Sequence, residues 1–157
     1  MFTLIAAVYF IRNRLAPFDP EGKLKGKDSH FIMQHLRQID GLQTVDLSDT
    51  IIHFTSNDCS CTQFSEDHKM SIDKKAKIDG FKVININLSS DHPSFIPSTP
   101  SIAIINKSNK SLYFGPYSVG LACSESNGYV EVVLQNYAKG YSSNFVIRDV
   151  EGCYCHL

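Results

Sequence analysis

Short apolar blocks separated by turn-forming residues run along the chain and predict strands that alternate with helices. The clearest block, residues 50–55, is β-branched and aromatic and stops at the turn residues 56–58. Strict alternation over residues 81–88 predicts a second strand, and residues 101–106 and 112–114 predict a hairpin. The first block is rich in β-branched and aromatic residues, and we expect it to be the buried, central strand.

Three segments have the periodicity of amphipathic helices. Ser29 is placed to cap the first, which ends near Ile39, and the third extends from about Gly128 to Gly140. The second follows residue 58 and has apolar or aromatic residues at every fourth position: Phe64, His68, Ile72 and Ala76. We interpret His68 as a half-buried packing residue. Alternation over residues 42–47 predicts a further strand.

The first eleven residues are apolar and end at Arg12 and Arg14. This run is shorter than the roughly 20 residues that cross a bilayer, and no basic region precedes it as in a signal peptide. We interpret residues 1–22 as the remnant of an N-terminal hydrophobic anchor followed by a linker rich in proline and glycine. The alternative is an apolar first strand or helix that docks on the domain.

Composition predicts a single folded domain, residues 23–157, and limits its function. Of the 157 residues, 43% are hydrophobic and 20% are charged, which is ordinary for a globular domain. The net charge of −1 provides no broad basic surface, so we expect no nucleic-acid partner. Neither a nucleotide-binding glycine pattern nor a complete hydrolase G-x-S-x-G elbow occurs, and we expect no cofactor.

The cysteines are the strongest indication of chemistry. There are five, in two close pairs, Cys59/Cys61 and Cys153/Cys155, with Cys123 alone. The first pair follows the predicted central strand where a helix begins, a position that favours the thiolate. We predict Cys59 as the nucleophile and Cys61 as the resolving thiol, and interpret Cys123 as a small buried residue.

The second pair has the same one-residue spacing. In an extended chain, Cys153 and Cys155 point to the same face. Near the first pair, they would form either a second redox pair or a cage of four thiolates. Soft thiolate ligands favour zinc, copper(I) or an iron-sulfur centre, although structural zinc sites usually space paired cysteines more widely.

The order of the predicted elements resembles the thioredoxin fold over about residues 28–140. Three features carry the resemblance: the thiol pair between strand and helix, Thr99-Pro100 directly before the strand SIAIIN, and Gly115-Pro116 after the hairpin. It implies a central mixed sheet flanked by helices, with a short C-terminal extension. It also implies a cis Pro100 facing the reactive cysteine, which would leave the Thr99 backbone free to pair with an extended substrate peptide.

The one-residue spacing and the second cysteine pair resemble those of uncharacterised membrane-anchored bacterial thioredoxin-like proteins. The family motif is usually CxxC, and a disulfide within the shorter CxC loop would be strained and easily reduced. The resemblance implies a thiol-disulfide oxidoreductase tethered to the inner membrane on the periplasmic side, with protein or small-molecule thiols and disulfides as partners. Two alternatives remain open: a metal-binding module using the four paired cysteines, and an interaction domain whose disulfides are only structural.

Overall fold

A computed structural model describes residues 15–89, 95–120 and 128–157. The chain has a mixed α/β architecture. In chain order, its elements are β1 (Ala16–Pro17), α1 (Ser29–Leu36), β2 (Thr50–Thr55), α2 (Ser60–Phe64), α3 (Glu66–Ile78), β3 (Lys82–Asn87), β4 (Ser98–Thr99), β5 (Ser101–Ile105), β6 (Ser111–Gly115), α4 (Tyr129–Ala138), β7 (Phe145–Val146), β8 (Glu151–Gly152) and β9 (Cys155–His156).

Five of the strands form one mixed sheet, in the order β3-β2-β5-β6-β7. β3 runs parallel to β2, β5 is antiparallel to both β2 and β6, and β7 is parallel to β6. The predicted central strand and hairpin are therefore confirmed, as is a mixed sheet flanked by helices. The other strands form two-residue ladders, β1 with β8 and β4 with β9.

Both faces of β2 are buried, because a separate hydrophobic cluster covers each side of the sheet. Ile52 and Phe54 pack into the cluster that contains α1, whereas Ile51 lies in the cluster that contains α3 and α4. A strand covered on both faces does not show the alternation of apolar and polar residues, and in β2 the buried polar residues Thr50 and His53 lie among apolar ones. This placement holds the loop after β2, and the first cysteine pair with it, in a fixed position.

The start of the described chain packs on the domain. Phe18 lies inside the α1-side cluster and is fully buried, and its N–H donates to Val150 O over 2.9 Å. From their prolines and glycine, residues 17–22 were predicted to be a linker. The composition of the segment gave no sign that its one phenylalanine, Phe18, packs into the core. The predicted anchor segment lies in residues 1–14, outside the described part. Within the described ranges, no helix has the length and apolar character needed to cross a membrane.

Three predicted elements differ from the structure. Residues 42–47 form a turn and bends instead of a strand; Leu42 and Leu47 are buried as single side chains, and at five positions apart they would point to opposite faces of a strand. The helix predicted after residue 58 is interrupted at Ser65, which leaves Phe64 57% exposed rather than on the buried stripe. In α1, Asp28 rather than Ser29 is the N-cap, and its side chain accepts from the N–H of Phe31.

Candidate functional site

The first cysteine pair lies where the central strand becomes helix. Cys59 is the N-cap of α2, and its carbonyl accepts the first helical hydrogen bond, from Thr62 N at 3.1 Å. Its own N–H donates to Ser56 O at 3.1 Å, which closes the turn after β2. Cys61 lies within the first turn of α2 and is buried, as is Cys59. Both cysteines therefore lie at the junction of strand and helix, as expected from the sequence, although Cys59 is buried there rather than exposed.

The second pair lies on the C-terminal segment, residues 153–157, which we call the tail. The tail follows β8 and contains β9. It reaches the first pair because β9 runs antiparallel to β4, with Ser98 opposite His156 and Thr99 opposite Cys155. Leu157 N–H also donates to Pro97 O at 3.1 Å.

All four paired cysteines meet in one cluster, and the bonds join one pair to the other. Cys59 is bonded to Cys155 with Cα atoms 5.7 Å apart, and Cys61 to Cys153 with Cα atoms 5.5 Å apart. Both separations lie in the normal range for disulfides. The structure contains neither a Cys59–Cys61 nor a Cys153–Cys155 bond, so the pair that we predicted to exchange within one CxC is here cross-linked to the tail.

The sulfur cluster is compact and borders the surface. The Sγ atoms of Cys59, Cys61 and Cys155 lie within 4.8 Å of one another. An open cavity of about 410 Å³ adjoins the Cys61–Cys153 bond and is lined, among the described residues, by Ser60, Cys61, Phe64 and Cys153. Because Cys153 and Cys155 are only partly buried, small thiols have access to the cluster.

The predicted substrate-binding residues lie directly beside the first disulfide. The Thr99-Pro100 peptide bond is cis, and Thr99 O lies 3.5 Å from Cys59 Sγ. A disulfide sulfur has no proton to donate, so this distance records proximity rather than a hydrogen bond. In this structure the backbone of Thr99 pairs with Cys155 of the tail, whereas the sequence predicted that it would be free to pair with a substrate peptide.

Between the two tail cysteines, Tyr154 points the opposite way, into the protein. Its hydroxyl donates to Ser118 O at 2.7 Å. Its ring contacts that of Phe18 edge-on, with the two ring centroids 5.2 Å apart. The close approach of Tyr154 also requires glycine at position 152, where a Cβ would lie 2.5 Å from the tyrosine hydroxyl. Alternation along the tail therefore separates two roles, sulfur chemistry on one face and docking on the other.

A buried polar network joins β2, α3 and the loop after β6. His53 is fully buried, with Nε2 2.7 Å from Asp73 Oδ1 and Nδ1 2.6 Å from the Tyr117 hydroxyl. Burial lowers the pKa of His53, against the opposing effect of Asp73. A neutral imidazole that donates from Nε2 and accepts at Nδ1 satisfies both contacts. Desolvation raises the pKa of Asp73, but the interactions with His53 and Lys69 outweigh it and lower the pKa overall.

Sequence reasoning did not identify this network, because its members lie on β2, α3 and a loop and show no spacing signal. His68 was predicted to be half-buried; it is buried and contacts Glu131 through Nε2 at 2.5 Å. The fifth cysteine, Cys123, and the residues around it lie outside the described part of the chain.

Residues 29–157 match the family described as Domain of unknown function (DUF6436). The chain belongs to this family. No curated protein and no solved structure matches it. The DUF6436 match includes both cysteine pairs, Pro100 and the tail, so the whole sulfur cluster lies inside the domain.

Proposed function

We propose that this DUF6436 domain is a thioredoxin-like thiol-disulfide oxidoreductase that works through its cluster of four cysteines. The observation that carries the proposal is the convergence of both CxC pairs, more than 90 residues apart in sequence, into two disulfides, each with one buried and one partly buried cysteine. The order of strand, thiol pair, helix, parallel strand, proline and hairpin supports the thioredoxin-like assignment. We further propose that the N-terminal segment tethers the domain on the periplasmic side of the membrane, where disulfides persist.

In the reduced protein, the Cys59 thiolate attacks one sulfur of a partner disulfide. A mixed disulfide forms and the other partner sulfur leaves as a thiolate. A second thiolate of the cluster, Cys61 or Cys155, then attacks the Cys59 sulfur. This step releases the second partner sulfur and leaves Cys59 oxidised. The partner has gained two electrons, and the domain has gained one disulfide.

The tail pair extends this capacity. When Cys155 resolves the first exchange, a second exchange joins Cys61 to Cys153, and this doubly oxidised domain is the cross-linked form of the structure. Run in reverse, the same form oxidises two dithiols in succession. The direction depends on the reduction potentials of the partners in the compartment.

The test is exchange between the reduced protein and glutathione disulfide, followed by alkylation and mass spectrometry. We expect Cys59→Ser to abolish formation of the mixed disulfide, while Cys61→Ser combined with Cys155→Ser, which removes both thiols that can resolve it, lets it accumulate. Cys123→Ser is the matched control, since Cys123 lies outside the two pairs, and we expect it to react like the original chain. Unchanged exchange in Cys59→Ser would refute the mechanism.

The sulfur geometry also favours a second candidate, a metal centre in the reduced protein. Three Sγ atoms within 4.8 Å, with the fourth cysteine bonded to one of them, are close enough to converge on one ion. The reduced cluster would offer four thiolates, the ligands that zinc, copper(I) and iron-sulfur centres accept.

Native mass spectrometry of protein purified without reductant separates the two candidates. A mass above that of the chain, lost on denaturation and followed by alkylation of all four cysteines, would establish the metal centre. A metal-free chain with both disulfides that reductants open readily supports exchange. Disulfides that resist reduction and form no mixed disulfide would indicate a purely structural role in an interaction domain.

A further inference from the structure

The tail lies along β4 as an added strand in a defined register. Leu157 N–H donates to Pro97 O, and hydrogen-bonded and non-bonded pairs alternate along an antiparallel ladder. Ser98 and His156 are then the non-bonded pair, and Thr99 and Cys155 the next hydrogen-bonded pair. The cysteine bonded to Cys59 is therefore the residue whose backbone pairs with Thr99.

One disulfide lies on this ladder and the other lies just before it. Cys155, in β9, meets Cys59, whereas Cys153, in the bend before β9, meets Cys61. A segment with one residue between its cysteines therefore reaches both sulfurs of the domain at once. An additional residue between the cysteines would move one thiol by about 3.3 Å along an extended segment, away from its partner sulfur.

We propose that the edge of β4, together with Cys59 and Cys61, is a binding groove for an extended segment of a partner protein that carries two thiols separated by one residue. The chain's own tail is the resident occupant that such a segment displaces. This inference rests on the proposed exchange function and specifies its substrate class.

Displacement needs no external oxidant or reductant. One partner thiolate attacks the Cys59 sulfur, forms an intermolecular disulfide and expels Cys155 as a thiolate. The second attacks the Cys61 sulfur and expels Cys153 as a thiolate. Two disulfides break and two form, so the total number of disulfides is unchanged while the oxidation moves from the tail to the partner link.

The contacts of the tail indicate which further features the groove accepts. Tyr154 fills the space beside Phe18 and donates to Ser118 O, so an aromatic residue with a hydroxyl between the two cysteines fits the same place. Beyond the second cysteine, His156 Nε2 lies 2.9 Å from Pro17 O, and Lys23 Nζ donates to Leu157 O at 2.9 Å. Together with the hydrogen bond from Cys153 N–H to Gly120 O at 3.3 Å and the packing of Leu157 on the α1-side cluster, these are the contacts that a displacing segment has to replace.

The test uses the full chain with both disulfides intact and reduced synthetic peptides at equal concentration. The first peptide is EGCYCHL, identical to residues 151–157. One control, EGCYACHL, separates the cysteines by two residues, and the other carries an N-methyl group on the second cysteine of EGCYCHL. The readout is the rate at which Cys153 and Cys155 become alkylatable, with mapping of the links in the adduct.

We expect EGCYCHL to give an adduct whose mass is the sum of both components, with its second cysteine on Cys59 and its first on Cys61. The N-methyl peptide loses one hydrogen bond to Thr99 and should react about fivefold more slowly, since such a bond contributes about 1 kcal/mol. EGCYACHL should open the first disulfide without forming the double link.

Dithiothreitol distinguishes failure of the groove from failure of the function. If dithiothreitol and all three peptides open the disulfides at rates that follow thiol reactivity alone, the groove proposal is wrong and the exchange function stands. If neither dithiothreitol nor any peptide opens them, the exchange function itself is refuted, and the groove with it. Rapid adduct formation by EGCYCHL with the reverse cysteine pairing would also overturn the proposed register.

Discussion

The central strand β2 and the tail strand β9 are kept in place by different interactions. β2 is six residues long, pairs with a strand on each side and is buried on both faces. β9 is two residues long and, within the described part of the chain, pairs with the two residues of β4; a disulfide joins it to the rest of the domain. β2 is held by burial, whereas the tail is held by two disulfides in addition to its noncovalent contacts, so we expect the position of the tail to be the more sensitive to reduction.

Replacing all four paired cysteines with serine should have the largest effect. The Cys59–Cys155 disulfide, which we call the outer disulfide, links residues 96 positions apart. In the chain-entropy treatment, closing a loop of that size stabilises the folded protein by about 4 to 5 kcal/mol. We expect at least that loss in urea unfolding, together with rapid hydrogen exchange in the tail and retained protection in β2. Cys123→Ser is the control. Tail amides that stay as protected as those of β2 would show that noncovalent packing holds the tail.

Ile51→Ala should lower the free energy of unfolding by a similar amount, about 2 to 5 kcal/mol, because it removes buried side-chain atoms between β2 and the cluster that contains α3 and α4. The loss should be equal with and without reductant, since none of the described members of that cluster belongs to the tail, whereas the α1-side cluster includes Tyr154. Urea unfolding in both conditions measures it. A loss that changed with reduction would couple the two regions.

Removing only the Cys61–Cys153 disulfide, which we call the inner disulfide, with Cys61→Ser and Cys153→Ser should lower the free energy of unfolding by less than removing both disulfides. Once Cys59–Cys155 is closed, the second bond closes only a small ring through residues 59–61 and 153–155. The same entropy treatment gives about 2 kcal/mol for such a ring. Urea unfolding gives this value, and removal of the outer disulfide alone is the matched comparison. A loss as large as in the fourfold variant would mean that one bond cannot hold the tail.

The smallest effect should be a pH dependence of stability that arises in the sheet region. Burial lowers the pKa of His53, so below the usual histidine pKa the unfolded chain binds a proton that the folded chain does not. Stability should therefore fall as the pH drops from 7.5 through about 6.5. It should fall further as the pH drops below about 4, because the pKa of Asp73 is also lowered.

Thermal unfolding across this pH range measures the effect, and His53→Gln should flatten the part near pH 6.5. The dependence should be the same in the oxidised protein and in the fourfold cysteine variant. A slope confined to the oxidised protein would place its origin in the tail instead.

The sequence was informative where local pattern and burial agree. The apolar block of β2, the alternation of β3 and the hairpin β5-β6 each have a periodicity that one face or two buried faces impose, and all were confirmed. It failed at residues 42–47, where apolar residues in a turn and bends were interpreted as a strand, and at Phe18, a single buried residue among proline and glycine neighbours.

The candidate site was likewise predictable from the sequence only in part. That Cys59 and Cys61 follow the central strand was evident from the turn residues 56–58, which separate the strand from Cys59. That Cys59 bonds to Cys155 was not, because two CxC pairs leave several connectivities open and only tertiary structure decides among them. The His53–Asp73–Tyr117 network was invisible for the same reason: its contacts join residues 20 and 64 positions apart.

Tyr154 makes the state of the tail optically observable. The chain has seven tyrosines and no tryptophan, so its near-ultraviolet signal comes from few chromophores. When the tail leaves β4, Tyr154 passes from its edge-on contact with Phe18 into water and loses the hydrogen bond to Ser118 O. The phenol absorption and near-ultraviolet circular dichroism should change with it. A Tyr154→Phe variant assigns that change to this ring, so occupancy of the groove becomes measurable in solution without a label.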